Sequence, residues 1–249
     1  MINTAGELRR EARAALGDNG QYWRYVSAYL LLSVMAVAIM MPLLALVGMG
    51  VAYSGIAPYF APGGKPEPAL FADPEVMLPL LITALVFSLL VIYPLGFIKW
   101  AQTSFPMAAM RRGIKLGHAF SGWGHGWKMG WIEMVKYSYI SLWGLLFIVP
   151  GIVKLFSYAM TEFVAVDHPD WSANQCISES RRLMKGNKFR LFRLYLSFTG
   201  WWLLVVAASV LVPLAGNCFQ FLFIPYPETA VAALYEELLD ADEATSFQN

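Results

Sequence analysis

Long apolar runs alternate with basic, glycine-containing links along this chain. Residues 25–53 carry no charge after Arg24 and exceed the ~20 apolar residues that cross a bilayer, so they predict a first span, kinked at Pro42. Residues 54–77 hold clustered Pro and Gly from Gly55 to Asp73-Pro74 and predict a loop. Residues 78–98 predict a second span, with Lys99-Trp100 as its interfacial anchor pair. Residues 189–215 predict another. The last apolar segment, 218–239, is interrupted by Pro225 and Pro227 and ends at Glu236-Glu237, before an acidic tail.

The stretch 129–166 is harder to read. It is apolar except for Glu133, Lys136, Lys154 and Glu162, with Pro150-Gly151 in its middle. It forms either a hairpin of 129–149 and 151–166 or one kinked helix. Lys and Arg number four before residue 25, one in 54–77, five in 99–128 and six in 167–193. The positive-inside rule then places the N-terminus, 99–128 and 167–193 in the cytoplasm and 54–77 outside. Two cytoplasmic links require an even number of crossings between them, which favours the hairpin with its helix break at Pro150 and Gly151. Residues 151–166 reach only ~24 Å at 1.5 Å per residue, short of a ~30 Å core. A shallow or re-entrant hairpin sheltered by other helices accommodates that length. Residues 194–249 contain no Lys or Arg, so charge leaves the side of the C-terminal tail open.

Two segments show helical rather than spanning patterns. In 4–17, Thr4 and Glu7 form a capping box, and Leu8, Ala12, Ala15 and Leu16 fall on one face; an interfacial helix lying on the membrane is expected, with an ordinary solvated helix as its rival. In 172–186, Ser172 and Gln175 repeat the box, and Ala173, Cys176, Ile177, Leu183 and Met184 share a face. This predicts a cytoplasmic interfacial helix.

Composition agrees with a membrane setting. Hydrophobic residues make up 58% and charged residues 14%, against about 25% charged in soluble domains. Net charge is +1 and points to no polyanionic partner. Cys176 and Cys218 form no CxxC pair or disulfide framework. Glu7 and Glu11 interrupt any signal-peptide pattern, so the first apolar segment is expected to act as an uncleaved anchor. The fold class expected is all-α: one polytopic membrane domain over 1–249 with about six membrane-embedded segments. Arg9-Arg10, Arg111-Arg112 and Arg181-Arg182 each precede a Gly-containing link and an apolar pair. The chain therefore also reads as three units of basic element plus membrane hairpin, with chance recurrence of Arg pairs as the rival.

Ionisable groups inside apolar segments are functional candidates by default. Glu133 and Lys136 stand i, i+3 on one helical face, as an ion pair or as snorkelling ends. Lys154 and Glu162 lie two turns apart. These four form a candidate polar pathway, with structural or interfacial roles as the rival, and Tyr137, Tyr139, Ser157 and Tyr158 are candidates to line a polar crevice, with aromatic packing as the rival. Arg181, Arg182, Lys185, Lys188, Arg190 and Arg193 form the densest basic cluster, and the last three interleave with Phe189, Leu191 and Phe192, a pattern that attracts anionic lipid headgroups or simply holds the link inside. No nucleic-acid-binding fold accompanies them. His118, His125 and His168 complete no zinc pattern. GxSxG, HExxH, P-loop and dinucleotide motifs are absent from the sequence. No enzyme, cofactor or metal site is expected.

Over 140–240 the chain resembles the bacterial integral membrane family catalogued as domain-of-unknown-function family 975. The residues carrying the resemblance are Pro150-Gly151-Ile152, Ser157-Tyr158, Asp167 to Pro169, Ser172-Ala173-Asn174, Ser180, Met184-Lys185-Gly186, Ser197-Phe198 with Gly200-Trp201, and Tyr235. The resemblance implies a bacterial cytoplasmic (inner) membrane protein and no established activity. The function expected is a non-enzymatic envelope module contacting membrane lipids and a protein partner or second copy. The alternative is a small-solute transporter or channel using the broken segment around Pro150-Gly151.

Overall fold

The computed structural model describes residues 4–17, 20–53, 74–111, 113–211 and 219–246. Among them every regular element is helical. The helices are α1 (Ala5–Gly17), α2 (Gln21–Tyr53), α3 (Pro74–Arg111), α4 (Gly126–Leu146), α5 (Ile148–Ser157), α6 (Thr161–Asp167), α7 (Ala173–Leu183), α8 (Lys188–Leu211) and α9 (Pro225–Ser246), with a 3-10 turn at Leu116–Phe120. Loop residues 54–73, Arg112, and residues 212–218 with Cys218 lie outside the described residues.

Four stretches are long and apolar enough to cross a membrane: Gln21–Met49, Met77–Arg111, Ile148–Asp167 and Lys188–Leu211. Two of the six segments expected are not among them. α4 carries Lys128, Glu133 and Lys136 within its 21 residues. α9 begins at Pro225, and Ala230, Val231, Ala232, Ala233, Leu234 and Tyr235 along it are all buried. A helix covered on every side belongs to a protein core rather than to lipid.

Exposed large apolar residues mark one end of the bundle: Val37, Met41, Leu81, Leu85, Leu145, Val149, Leu203 and Leu211 among them. At the other end α1, α7, α9 and the ends of α3 and α6 pack together. α9 ties this end together, because each basic element reaches it. Tyr226 accepts hydrogen bonds from Arg9 and Arg13. Glu236 pairs with Arg111 at 2.7 Å, Glu237 with Arg190 at 2.6 Å, and Asp242 with Arg182. The C-terminal helix therefore ends on the same side as the three basic elements. Arg182 hydrogen bonding holds the Asp242 carboxyl below the usual aspartate range.

Both capping boxes form: Ser172 N–H donates to Gln175 Oε1 at 2.8 Å, and Glu7 N–H to Thr4 Oγ1 at 3.4 Å. The α7 face forms as read, with Ala173, Cys176, Ile177, Leu183 and Met184 all buried. The α1 stripe is also buried, at Leu8, Ala12 and Leu16, but its cover is protein. α1 packs chiefly on α9, so the stripe is not laid on lipid as expected.

Two boundaries differ from the sequence reading. α3 does not end at residue 98: it runs to Arg111, and Trp100, Ala101, Phe105 and Met107 are buried. Lys99-Trp100 is therefore no interfacial anchor. A helix of 38 residues is ~57 Å long, so its second half projects past a ~30 Å core into the packed end. The region 129–166 is a hairpin, but its reversal is at Phe147, with extended φ −156° and ψ 137°. Pro150 sits in the first turn of α5, where its missing N–H breaks no helical bond. Gly151 instead meets Gly144 across the hairpin: a Cβ there would lie 2.8 Å from Gly144 Cα. Small residues permit this approach of two helices.

Candidate functional site

The antiparallel hairpin brings α4 alongside α5 and α6 in a consistent register. Gly144 faces Gly151, Lys154 Nζ lies 4.6 Å from the Trp143 ring centroid, and Lys136 pairs with Glu162. The returning arm is broken between Ser157 and Thr161. α7 closes that break with one buried hydroxyl. Ser180 Oγ accepts from Met160 N–H at 3.0 Å and donates to Ser157 O at 3.1 Å. An unpaired buried backbone group costs about 1–3 kcal/mol, so Ser180→Ala is expected to lower stability by about that amount. Chemical unfolding in detergent micelles measures it, and an unchanged midpoint would show that water serves both backbone groups instead.

The break sets Glu162 at the start of α6, where it meets lysines from two other helices. Lys99 of α3 pairs with Glu162 at 2.8 Å. Lys136 of α4 pairs with Glu162 and with Glu133 at 2.7 Å. The side chains are 6% exposed at Lys136, 15% at Glu162 and 16% at Glu133. Charges this sheltered persist only when paired, and here each ammonium touches at least one carboxylate. Glu228 of α9 accepts a hydrogen bond from the buried Tyr25 of α2.

These groups floor a cavity of about 400 Å³. Lys99, Lys136, Glu162 and Glu228 line its polar side, and Leu155, Phe156, Trp202 and Ile224 its apolar wall. Tyr137, Leu155 and Tyr195 also line it and are exposed at 55%, 49% and 42%. The crevice thus opens sideways between α4–α5 and α8, at the level where apolar helix faces begin. Its chemistry is amphipathic, with both signs of charge at one end and aromatic and aliphatic surface at the other.

Of the four pathway residues expected, the structure brings together Glu133, Lys136 and Glu162. Lys154 stands apart, over Trp143 and Tyr158. Tyr137 and Tyr158 line the crevice, whereas Tyr139 hydrogen-bonds Asn174 and Ser157 bonds back to Val153 O. The basic set divides. Arg182 is held by Glu179 and Asp242 and Arg190 by Glu237, so two of the six are occupied internally. Arg181, Lys185 and Arg193 are exposed and Lys188 half-buried. The histidines are scattered: His125 stacks on Trp100, His168 on Trp171, and His118 accepts from Lys115 N–H.

Lys99, which the sequence reading places at an interface, and Glu228, which it does not single out, both enter the site. A signal for Lys99 was present. The ten residues after it, Trp100 to Ala109, contain no charge, which argues for a helix continuing through protein rather than stopping at an interface. Glu228 offered no such signal, because its role depends on a tyrosine two hundred residues earlier.

No curated protein and no solved structure matches the chain. A family model described as Protein of unknown function (DUF975) matches residues 76–242. That match covers α3 to α9, and with it every residue of the crevice, so the chain belongs to this family.

Proposed function

We propose that the protein is a non-enzymatic membrane module that holds a lipid by its headgroup in the crevice. The observation that carries this reading is the sideways-opening cavity, with paired charges on its floor and aromatic wall residues continuous with the apolar helix faces. A headgroup bearing both an ammonium and a phosphate, as in phosphatidylethanolamine, matches a floor that offers carboxylates and lysines together. The packed end gathers Arg9, Arg111, Arg181 and Arg182, and the positive-inside rule makes that end cytoplasmic. The crevice then faces the inner leaflet of a bacterial cytoplasmic membrane.

Native mass spectrometry of the protein released from mixed-lipid nanodiscs tests the reading. Wild type is expected to retain phosphatidylethanolamine, and the charge-balanced variant Lys99→Met with Glu162→Gln to lose it. Equal retention by both removes the crevice as a headgroup site.

A second reading, passage of a small solute, draws on the break between α5 and α6 beside Glu162, since interrupted helices build transporter sites. Its measurement is flux through proteoliposomes. A flux abolished by Glu162→Gln supports it, and none above empty vesicles rejects it.

A further inference from the structure

A second cavity, of about 460 Å³, lies between α1 and the entry to α9. It shares no lining residue with the crevice. Its wall is apolar: Leu16, Trp201, Phe219, Leu222 and Phe223 line it. Trp201, Phe219 and Leu222 are 44%, 36% and 41% exposed, and Trp201 continues into the bare apolar face of α8 that ends at Leu211. The groove is therefore open to whatever covers that face.

Its mouth is cationic. Arg13 lines it, and Arg9 stands one turn earlier on the same helix. Both guanidiniums reach the Tyr226 hydroxyl at 3.2 Å. Arg9 also donates to Ser197 O at 3.5 Å and lies over the Phe198 and Tyr226 rings, as Arg13 does over Tyr226. Neither has a carboxylate partner among the described residues. Arg111, Arg182 and Arg190, at the same end of the molecule, all have one. Two adjacent guanidiniums held in place by neutral partners form a ready fork for phosphate oxygens.

We infer that this groove is a distinct lipid site selective for an anionic phospholipid. The phosphate would sit on Arg9 and Arg13, and an acyl chain would lie along Trp201, Phe219 and Leu222. The occupant is an acidic lipid of the same leaflet as the crevice, because the mouth offers positive charge alone. The site also gives α1 a purpose other than lying on the membrane: its apolar stripe anchors it to α9 so that its arginines stand at the groove.

Nanodiscs of phosphatidylcholine doped with phosphatidylglycerol provide the test, with retained phosphatidylglycerol counted by native mass spectrometry on the full chain. Two variants are compared with wild type, each first shown to melt cooperatively: Arg9→Gln with Arg13→Gln, and Leu222→Trp. The first removes the fork and leaves the groove. The second leaves the fork and fills the groove with an indole. Retention is expected to fall on the order of tenfold in the arginine variant and by a similar factor in Leu222→Trp. If either variant retains phosphatidylglycerol as wild type does, the inference is overturned. Neither substitution touches the crevice and a different lipid is counted, so failure here leaves the phosphatidylethanolamine reading standing.

Discussion

Replacing Lys136 with methionine is expected to destabilise the protein by about 3–5 kcal/mol, the usual cost of removing one partner from a buried ion pair. Methionine nearly matches the lysine stem, so packing changes little and the charge is what is lost. Lys136 is 5% exposed and serves two carboxylates. Glu162 keeps Lys99 at 2.8 Å. Glu133 keeps no direct ion pair: Lys136 is its one such partner among the described residues. At an effective dielectric of about 20, an ion pair at 4 Å is worth about 4 kcal/mol, and desolvation prevents water from replacing it cheaply. Thermal and chemical unfolding in micelles would register the loss. Adding Glu133→Gln to Lys136→Met is expected to recover more than half of it, since the stranded charge is then gone. No recovery would mean that Glu162, not Glu133, bears the cost. Lys154→Met serves as the contrast. Among the described residues its ammonium makes ring contacts alone, worth about 0.5–1 kcal/mol at exposed sites.

The difference between Lys136 and Lys154 illustrates what the sequence could and could not convey. Both lie in apolar stretches, and both were equal candidates. Local spacing put Glu133 and Lys136 on one face, because i, i+3 neighbours on a helix are fixed by the backbone, and left open whether they pair or snorkel. It said nothing of Glu162, whose arrival depends on hairpin register. The same division runs through the fold. Capping boxes at Thr4 and Ser172 and the buried face of α7 were legible because each rests on contacts within one helix. The stripe on α1 was legible as a stripe, but amphipathicity does not say whether lipid or protein covers it. Pro150-Gly151 misled by three residues for a physical reason. Proline ends a helix from within yet is tolerated in a first turn, so the reversal could precede it at Phe147. Pro225 and Pro227 behave likewise, opening α9 rather than disrupting a span. What the sequence could not supply was the convergence of Arg9, Arg111, Arg182 and Arg190 on α9, since every one of those contacts joins residues far apart in the chain.

Gly96→Val is expected to be the most damaging single substitution at a helix crossing, costing more than the roughly 1–3 kcal/mol of ordinary overpacking. α3 and α4 meet with no side chain between them at this point. A Cβ on Gly96 would stand 2.9 Å from Gly130 Cα and closer still to the Gly126 carbonyl. A Cβ on Gly126 would stand 2.9 Å from Tyr93 O. The obstacles are backbone atoms, so no rotamer change relieves them and the helices must separate. Separation disturbs more than the crossing itself. Lys99 lies one turn beyond Gly96 on α3, and Lys136 lies farther along α4, so the two lysines that share Glu162 would move apart. The prediction therefore has two readouts: a large drop in the unfolding midpoint, and loss of the phosphatidylethanolamine retention proposed for the crevice under conditions where the variant is still folded. Gly48→Ala is the matched control, because a Cβ there meets nothing within 4 Å and alanine is favoured over glycine inside a helix by roughly 0.5–1 kcal/mol. If Gly96→Val and Gly48→Ala melt alike, the close approach of α3 and α4 does not exist in the membrane. If only Gly96→Val falls and its lipid retention is intact, the crossing is structural and the crevice does not depend on it.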